Sequence, residues 1–215
     1  GRVMKSAGYK TAAAGKWQIN DFRIHPDALV KHGFDEYFMW TGGETDPSSL
    51  THTQKSDRRY WNPYIHSKEG SREYPNQFGP DLYNQFLLDF ITTSKDDPFF
   101  IYYPMTLPHG PLVHTPHHME ARTKLEKHKA MVCYIDFLIG KLVKHLKKHH
   151  LSERTMIVFT SDNGTAGNIS NRVNGKMIRG GKMRTTENGV NMPFIINWPG
   201  HISSGINSDI LLDFS

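Results

Sequence analysis

Apolar residues recur at helical spacing in two long segments of this chain. The first segment opens at Pro80-Asp81, and its apolar face carries Leu82, Phe86, Leu87, Phe90 and Ile91. The second segment covers about residues 120–149, with Met131, Ile135, Leu138, Leu142 and Leu146 at the same periodicity. A stripe of this kind buries one side of a helix, so both segments are predicted to be amphipathic α-helices.

Short apolar runs alternate with these helices and predict strands at residues 10–14, 33–40, 98–104, 155–160 and 192–199. We expect the runs at 98–104 and 156–159 to be buried, the second of them in a parallel sheet. Because helices and strands alternate, the predicted fold class is α/β, with a mostly parallel (mixed) sheet flanked by helices on both faces. The polar segment at about 41–80 predicts an insertion or a long loop.

Composition and charge narrow the classes of function. The chain has 215 residues, a formal net charge of +5 and 13 histidines, a balance that suits an anionic ligand. Lysine and arginine are dispersed along the sequence, so no nucleic-acid partner is expected. No apolar run reaches the roughly 18 residues of a membrane span. Cys133 is the single cysteine, which excludes a disulfide framework, and its apolar neighbours predict a small buried core residue.

Two polar loops that follow predicted strands carry candidate ligands. Asp162 and Asn163 follow the run at 156–159 and offer oxygen atoms of the kind that Ca²⁺ and Mg²⁺ bind. Asp-Asn-Gly is also a common turn sequence, so a plain loop is the alternative. Lys16 follows a glycine and could meet an anion as a point charge, or lie solvated on the surface.

Two further loops present a histidine and a lysine. His109 lies between Pro108 and Gly110, and a histidine held rigidly after a strand is a reasonable general acid or anion donor. Lys182 follows Gly180-Gly181 and is either an anion contact or part of a flexible exposed loop. Ligands of open α/β sheets bind at the carboxyl ends of strands, so we expect these side chains to meet around an oxyanion ester.

The order and the sequences of six segments resemble those of the type I sulfatases of the alkaline-phosphatase superfamily. These segments are residues 7–17, 32–38, 98–111, 131–146, 155–164 and 179–200, which together cover most of the chain outside 40–80. The combination of G-K-W, S-D-N-G and G-G-K in this order is specific. The resemblance implies an alkaline-phosphatase or sulfatase-like fold, incomplete here, and a sulfuric ester hydrolase that cleaves sulfate monoesters.

The resemblance also implies a role for each matching residue. Asp162 and Asn163 would be two ligands of an active-site Ca²⁺ or Mg²⁺. Lys16 and Lys182 would bind the sulfate oxygens, and His109 would contact the ester and assist the leaving group. In the family mechanism the nucleophile is a hydrated formylglycine, made from Cys or Ser in a C/S-x-P-x-R motif. A periplasmic or secreted location is expected on the same ground.

This chain departs from the family pattern in two ways. Gln18 stands where the family usually has a histidine, and an amide cannot act as a general base, so another base is needed or Gln18 only binds substrate. No C-x-P-x-R or S-x-P-x-R motif occurs in the chain, and the paired Asp ligands of the family's first strand are missing. We therefore expect residues 1–215 to be the central part of a sulfatase catalytic domain, without the nucleophile segment and the C-terminal subdomain, and inactive alone.

Some alternatives remain open on the sequence. A phosphodiesterase or phosphonate monoester hydrolase of the same superfamily would share the metal ligands, and a non-catalytic domain that binds an anionic glycan would keep the fold. The expected ligand is a small-molecule or glycan sulfate ester, and the oligomeric state is not indicated. The 41–80 segment either borders the substrate pocket or is pinned by its aromatic residues onto the core; the residues concerned are Arg58, Arg59, Tyr60, Trp61 and His66.

Overall fold

The computed structural model of the protein describes residues 1–40, 42 and 58–212. Its described part divides into two compact units, Gly1–His145 and Leu146–Ser215. The helices are α1 (Arg2–Ser6), α2 (Ala28–Lys31), α3 (Gly79–Ser94), α4 (Lys124–Lys148) and α5 (Glu187–Val190). The strands are β1 (Lys10–Lys16), β2 (Glu36–Trp40), β3 (Tyr64–Ser67), β4 (Gly70–Glu73), β5 (Phe99–Tyr102), β6 (Ile157–Thr160), β7 (Ser170–Val173), β8 (Lys176–Arg179) and β9 (Phe194–Asn197).

The first unit is built on a five-stranded mixed sheet with the order β4-β3-β2-β1-β5. Strand β1 pairs in parallel with β2 on one side and with β5 on the other. The hairpin of β3 and β4 continues the sheet in antiparallel pairing beyond β2. This hairpin occupies part of the segment predicted as an insertion or long loop, and residues 41 and 43–57 of that segment lie outside the described residues.

Small side chains on β1, which is paired on both sides, let both faces of the sheet be covered closely. Ala12, Ala13 and Ala14 of β1 are fully buried. One face packs Ala13 with Tyr37, Met39 and Leu29, which lies on α2; the other packs Ala12 and Ala14 with Trp40, Tyr83, Leu87 and Phe90, the last three on α3. The predicted mixed sheet with helices in an α/β fold is therefore confirmed.

Helix α4 confirms the second helical prediction, with one local error. Its Met131, Tyr134 and Leu138 are buried against Tyr60 and other apolar residues of the first unit. Cys133, predicted to be buried, is exposed. The error is geometric, because position 133 lies two residues from Met131 and so falls on the opposite side of a helix with 3.6 residues per turn. None of the described helices is long and apolar enough to cross a membrane.

Two strand predictions were right about the element and wrong about its burial. The run at 98–104 forms β5, which lies at the end of the five-stranded sheet, and Tyr102 is 46% exposed. The run at 156–159 overlaps β6, which pairs antiparallel with β9 rather than parallel. Val158 of β6 is also 46% exposed, so this strand is not fully buried among the described residues. A continuous apolar run is compatible with burial on both faces, but it does not specify what covers those faces.

The second unit also contains a hairpin that the sequence analysis missed. Strands β7 and β8 pair antiparallel around Asn174-Gly175, and both turn residues have positive φ. Positive φ at both central positions is the signature of a type I′ hairpin turn, for which Asn-Gly is a preferred sequence. The Asn-Gly dipeptide therefore signalled a hairpin in a segment that shows no helical or strand periodicity.

His66 on β3 is a buried neutral group that fastens the loop before α2 to the sheet. Its ring is 4% exposed and stacks on Phe22 with ring centroids 4.2 Å apart. Nε2 lies 3.0 Å from the carbonyl oxygen of Pro26, and Nδ1 lies 2.8 Å from the hydroxyl of Ser71. Burial lowers the pKa of His66 from its ordinary value. The ring is therefore kept neutral, because a buried imidazolium would lose its hydration.

The protein is expected to lose stability below about pH 6.5, the ordinary pKa of histidine. Unfolded His66 binds a proton more readily than folded His66, so its contribution is complete above that pH and falls as the pH approaches the folded-state pKa. The maximum slope for one such group is about 1.4 kcal/mol per pH unit. The free energy of unfolding, measured in urea between pH 7 and pH 5, should depend less on pH in His66→Gln than in the wild type.

A second histidine provides the control for this experiment. Burial also lowers the pKa of His128, a half-buried residue of α4. His128→Gln should remove a smaller share of the pH dependence, since His66 is the more deeply buried. An unchanged acid slope in His66→Gln would contradict the assignment.

Candidate active site

In the first unit, Lys16 and the loop of His109 lie at the carboxyl ends of two neighbouring parallel strands. Lys16 ends β1, and its backbone N–H donates to the carbonyl oxygen of Pro104, just after β5, at 2.7 Å. Gly15 permits this approach. It has a φ of +116°, and a Cβ at this position would stand 2.3 Å from the same Pro104 oxygen. The strand pairing thus brings Lys16 next to the segment that leads to His109.

The backbone around His109 is held by a buried tyrosine. The Tyr60 hydroxyl lies 2.7 Å from the carbonyl oxygen of Thr106 and 2.5 Å from that of His109, and it donates to this pair of acceptors. Tyr60 is fully buried, and burial raises the pKa of its hydroxyl, so the group stays a donor. The peptide bonds before Pro108 and Pro111 are both cis. The loop is therefore attached to the core at the residue that carries the candidate imidazole.

The ring of His109 lies beside a buried arginine. Arg59 Nη1 is 3.0 Å from His109 Nδ1, and the carbonyl oxygen of Gly110 is 2.7 Å from the same nitrogen. The Arg59 guanidinium lies over the ring of Trp40, 4.1 Å from its centroid, and the residue is 3% exposed. His109 itself is exposed, whereas Arg59 is buried.

The aromatic residues of the 58–66 segment pack on the core. Tyr60 and His66 are buried, and Trp61 packs on Phe78 with centroids 4.8 Å apart, which supports the anchoring interpretation. Arg58 is half-exposed and forms an ion pair with Glu73. The contact between Arg59 and His109 was not anticipated, because the two residues are 50 positions apart and no local pattern links them.

Gln18 lies exposed in the loop after β1. Its neighbour Trp17 is buried and holds this loop, with Nε1 donating to the Asn20 side-chain oxygen at 3.2 Å. The Gln18 side chain also borders Gly42, where an added Cβ would lie 3.3 Å from Gln18 Cγ. An amide in this place can donate and accept hydrogen bonds, but it cannot remove a proton as a neutral imidazole does. Its position fits a polar contact to a ligand.

In the second unit, the loop of Asp162 and Asn163 packs against the loop of Lys182. Lys182 donates its backbone N–H to the carbonyl oxygen of Thr165 at 3.0 Å, and Gly164 donates to that of Gly189, also at 3.0 Å. A Cβ on Gly164 would stand 2.0 Å from the carbonyl oxygen of Asn188, so glycine alone permits this contact. The two loops after β6 and β8 therefore form one packed structure that carries all three candidate residues of this unit.

The donor atoms of this loop fit part of a site for a hard cation. Asp162 is exposed, and the Asn163 amide nitrogen donates to the Gly164 carbonyl at 3.3 Å, which leaves the amide oxygen as its other polar atom. A carboxylate and an amide oxygen suit Ca²⁺ or Mg²⁺, but such ions take six or more ligands. Among the described residues no cluster of three or more His, Cys, Asp or Glu could hold a metal. The pair would thus supply part of a ligand set.

The structure brings the candidate residues together in two groups. Lys16, Gln18 and His109 belong to the first unit, and Asp162, Asn163 and Lys182 belong to the second. Within each unit the candidates share neighbouring loops. Their convergence on a single anion stays a prediction, as do the catalytic role of each and the identity of the metal.

Comparison with known proteins assigns the family. The Sulfatase family model matches residues 1–211, so the chain belongs to the sulfatase family, whose members generally use a metal ion and formylglycine. N-acetylgalactosamine-6-sulfatase of Mus musculus is 30% identical over 94% of this chain and 40% of its own length. Arylsulfatase of Hemicentrotus pulcherrimus is 28% identical over 97% of this chain and 39% of its own length.

Solved structures agree with this assignment. The crystal structure of Ps i-CgsB has a TM-score of 0.73 and 25% identity, and covers 94% of this chain and 48% of that one. Its complex with k-i-k-neocarrahexaose has a TM-score of 0.67 and 26% identity over the same shares. The chain thus spans about 40% of the length of the two curated relatives.

The approach of β1 to Pro104 should make Gly15 hard to replace. Gly15→Ala combines a positive φ with a Cβ against a backbone carbonyl, and we expect a loss of about 2–4 kcal/mol in the free energy of unfolding. Gly8 is the matched control, because it has a φ of +85° with nothing within 4 Å of an added Cβ. Gly8→Ala should cost about 1 kcal/mol. Equal losses in urea denaturation would show that the close approach does not matter.

Proposed function

We propose that the full-length protein containing this chain hydrolyses sulfate monoesters. The observation that carries the proposal is the family match over 1–211 combined with the placement of a lysine and a histidine at neighbouring strand ends. Strand ends of this kind are the usual binding position in open α/β sheets. The positive formal net charge of the chain adds to the attraction for an anion.

The chain's own residues are assigned to the binding and neutralisation of the sulfuryl group. Lys16 and Lys182 hold its peripheral oxygens as point charges, which stabilises the negative charge that develops in the transition state. His109 hydrogen-bonds the ester oxygen on the leaving side. Gln18 contacts the substrate as a polar group and takes no proton.

Asp162 and Asn163 are assigned to a hard cation, Ca²⁺ or Mg²⁺, because both offer oxygen donors in a loop fixed by Gly164. When bound, such a cation neutralises charge on the oxygens of the reacting ester. The formylglycine nucleophile of the family is assigned to a residue outside these 215, since the chain carries no C/S-x-P-x-R motif.

The substrate class that we propose is a sulfated glycan. Two observations support it: the name N-acetylgalactosamine-6-sulfatase among the relatives, and the complex of Ps i-CgsB with k-i-k-neocarrahexaose. A periplasmic or secreted location is proposed with it. One observation favours a second candidate, a domain that binds the anionic glycan without cleaving it, because Gln18 replaces the family's usual histidine and cannot serve as a base.

Loss of Lys182 should impair turnover of a sulfate ester much more than loss of a surface lysine. In the full-length protein, Lys182→Met is expected to lower kcat/KM for an aryl sulfate by about 100-fold or more, because a charge that stabilises the transition state is removed. Lys129 of α4 is exposed, and Lys129→Met should retain wild-type activity. The measurement is the release of phenol and of free sulfate.

Each rival function has its own outcome in this assay. Faster hydrolysis of a phosphate diester than of the sulfate would favour the phosphodiesterase alternative. Binding of sulfated glycan without turnover would favour the non-catalytic domain. The 215-residue chain alone should show no turnover, and measurable aryl sulfatase activity from it would refute the assignment of the nucleophile to another segment.

Removal of the Asp162 charge should weaken metal binding. Asp162→Asn in the full-length protein is expected to reduce Ca²⁺ affinity at least about 10-fold, since a carboxylate ligand is replaced by an uncharged one. Asp136 is exposed on α4, and Asp136→Asn is the matched control. The affinities are measured by calorimetric titration of metal-depleted protein. Equal affinities in both variants would exclude Asp162 as a ligand.

A further inference from the structure

We propose that Arg59 is a positioning residue that holds His109 as a neutral imidazole with its proton on Nε2. The function of His109 toward a sulfate ester rests on the proposed function above, but the proton position follows from contacts within the first unit. Nothing in the local sequence connects the two residues. Their contact arises because Arg59 lies over Trp40, the last residue of β2, which is opposite Lys16 in the sheet register.

His109 Nδ1 has a hydrogen-bond donor and a hydrogen-bond acceptor close to it. Arg59 Nη1 is 3.0 Å away and the Gly110 carbonyl oxygen is 2.7 Å away. A guanidinium carries N–H donors and no acceptor, whereas a carbonyl oxygen accepts and cannot donate. Nδ1 can therefore accept a hydrogen bond from Arg59 only when it carries a lone pair, and it can donate one to the Gly110 carbonyl only when it carries a proton. It cannot do both at the same time.

The charge on Arg59 decides between these states. A proton on Nδ1 would direct an N–H toward the guanidinium, and in the imidazolium form it would add a second positive charge next to the first. Arg59 is 3% exposed, so little water screens this repulsion. The neutral ring with a lone pair on Nδ1 accepts from Arg59 instead. Its remaining proton must then be on Nε2, the nitrogen on the other side of the ring.

Neighbouring residues keep both partners in place. The guanidinium is fixed over the buried ring of Trp40, a cation–π contact at 4.1 Å. Tyr60, the next residue, donates its hydroxyl to the carbonyl oxygens of Thr106 and His109. The dipeptide Arg59-Tyr60 thus holds the imidazole ring through one side chain and the backbone beneath it through the other. A small displacement of the loop would break both contacts together.

This arrangement refines the chemistry of His109. A neutral imidazole with Nε2–H donates a hydrogen bond to a developing negative charge, and it does not transfer a proton as an imidazolium would. The sequence analysis allowed either of two roles, a general acid or a hydrogen-bond donor to an anion. The contact with Arg59 favours the anion donor, because a ring without a positive charge is a poor acid and a good hydrogen-bond donor.

The proton position can be measured without any substrate. Histidine side chains of the 215-residue chain are labelled with ¹⁵N, and long-range ¹H–¹⁵N spectra are recorded between pH 5 and pH 8. The His109 signals are identified by their loss in His109→Asn. We expect Nδ1 to have the shift of a nitrogen with a lone pair and Nε2 that of a protonated nitrogen at pH 7.

Variants at positions 58 and 59 test the role of the guanidinium. Arg59→Met should move the protonation midpoint of His109 upward by about one pH unit, a tenfold stronger proton affinity, and mix the two neutral tautomers. Arg58→Met is the matched control and should leave the spectrum of His109 unchanged, since Arg58 pairs with Glu73 at 3.3 Å. Arg59→Lys keeps the charge and the stem over Trp40, so it should retain most of the Nε2–H form.

Either of two results would overturn the inference. A proton on Nδ1 of the wild type at pH 7, or His109 signals that do not change in Arg59→Met, would each do so. The signals of the other histidines report whether a variant is folded. If Arg59→Met is not folded, the spectrum of Arg59→Lys is used in its place. Failure of the proposed function is recognised separately, as absence of sulfate release by the full-length protein, and it leaves the measured tautomer unaffected.

Discussion

The parallel pairing of β1 with β5 is the constraint on which the first half of the candidate site depends. This pairing continues past the strands as the hydrogen bond from the Lys16 backbone to the Pro104 carbonyl. Three buried alanines on β1 accompany this pairing, and a glycine at position 15 leaves room for the approach of Pro104. Lys16 and the His109 loop are neighbours because the two strands end at the same edge.

Electrostatics near this edge follow from burial. A guanidinium removed from water is stabilised by the face of an aromatic ring and by groups that accept hydrogen bonds. Arg59 has Trp40 for the first contact and His109 for the second. The same burial that makes this charge costly also limits its screening by water, so its interaction with the neighbouring imidazole is weakened little by solvent.

Sequence patterns predicted the elements well and their surroundings less well. The two long helices follow from periodicity alone, and the grouping of Lys16 with His109 follows from the rule that parallel strands end together. The exposure of Val158 and the antiparallel partner of β6 could not be predicted, because an apolar run does not identify its neighbour. Nor could the Arg59 contact, which depends on a tertiary position 50 residues away. The Asn174-Gly175 turn, by contrast, was a readable signal.

The tight packing of Gly164 against the Asn188 carbonyl has a mechanical consequence. Two loops that share a backbone contact of this kind cannot move independently, because a displacement of one loop, or a side chain added to it, displaces the other. A displacement of the loop that carries Lys182 is therefore transmitted to the loop that carries Asp162 and Asn163. The β7–β8 hairpin is joined to the same packed structure at its β8 end, because Arg179 Nε donates to the Gly167 carbonyl and the Asn188 amide donates to the Arg179 carbonyl.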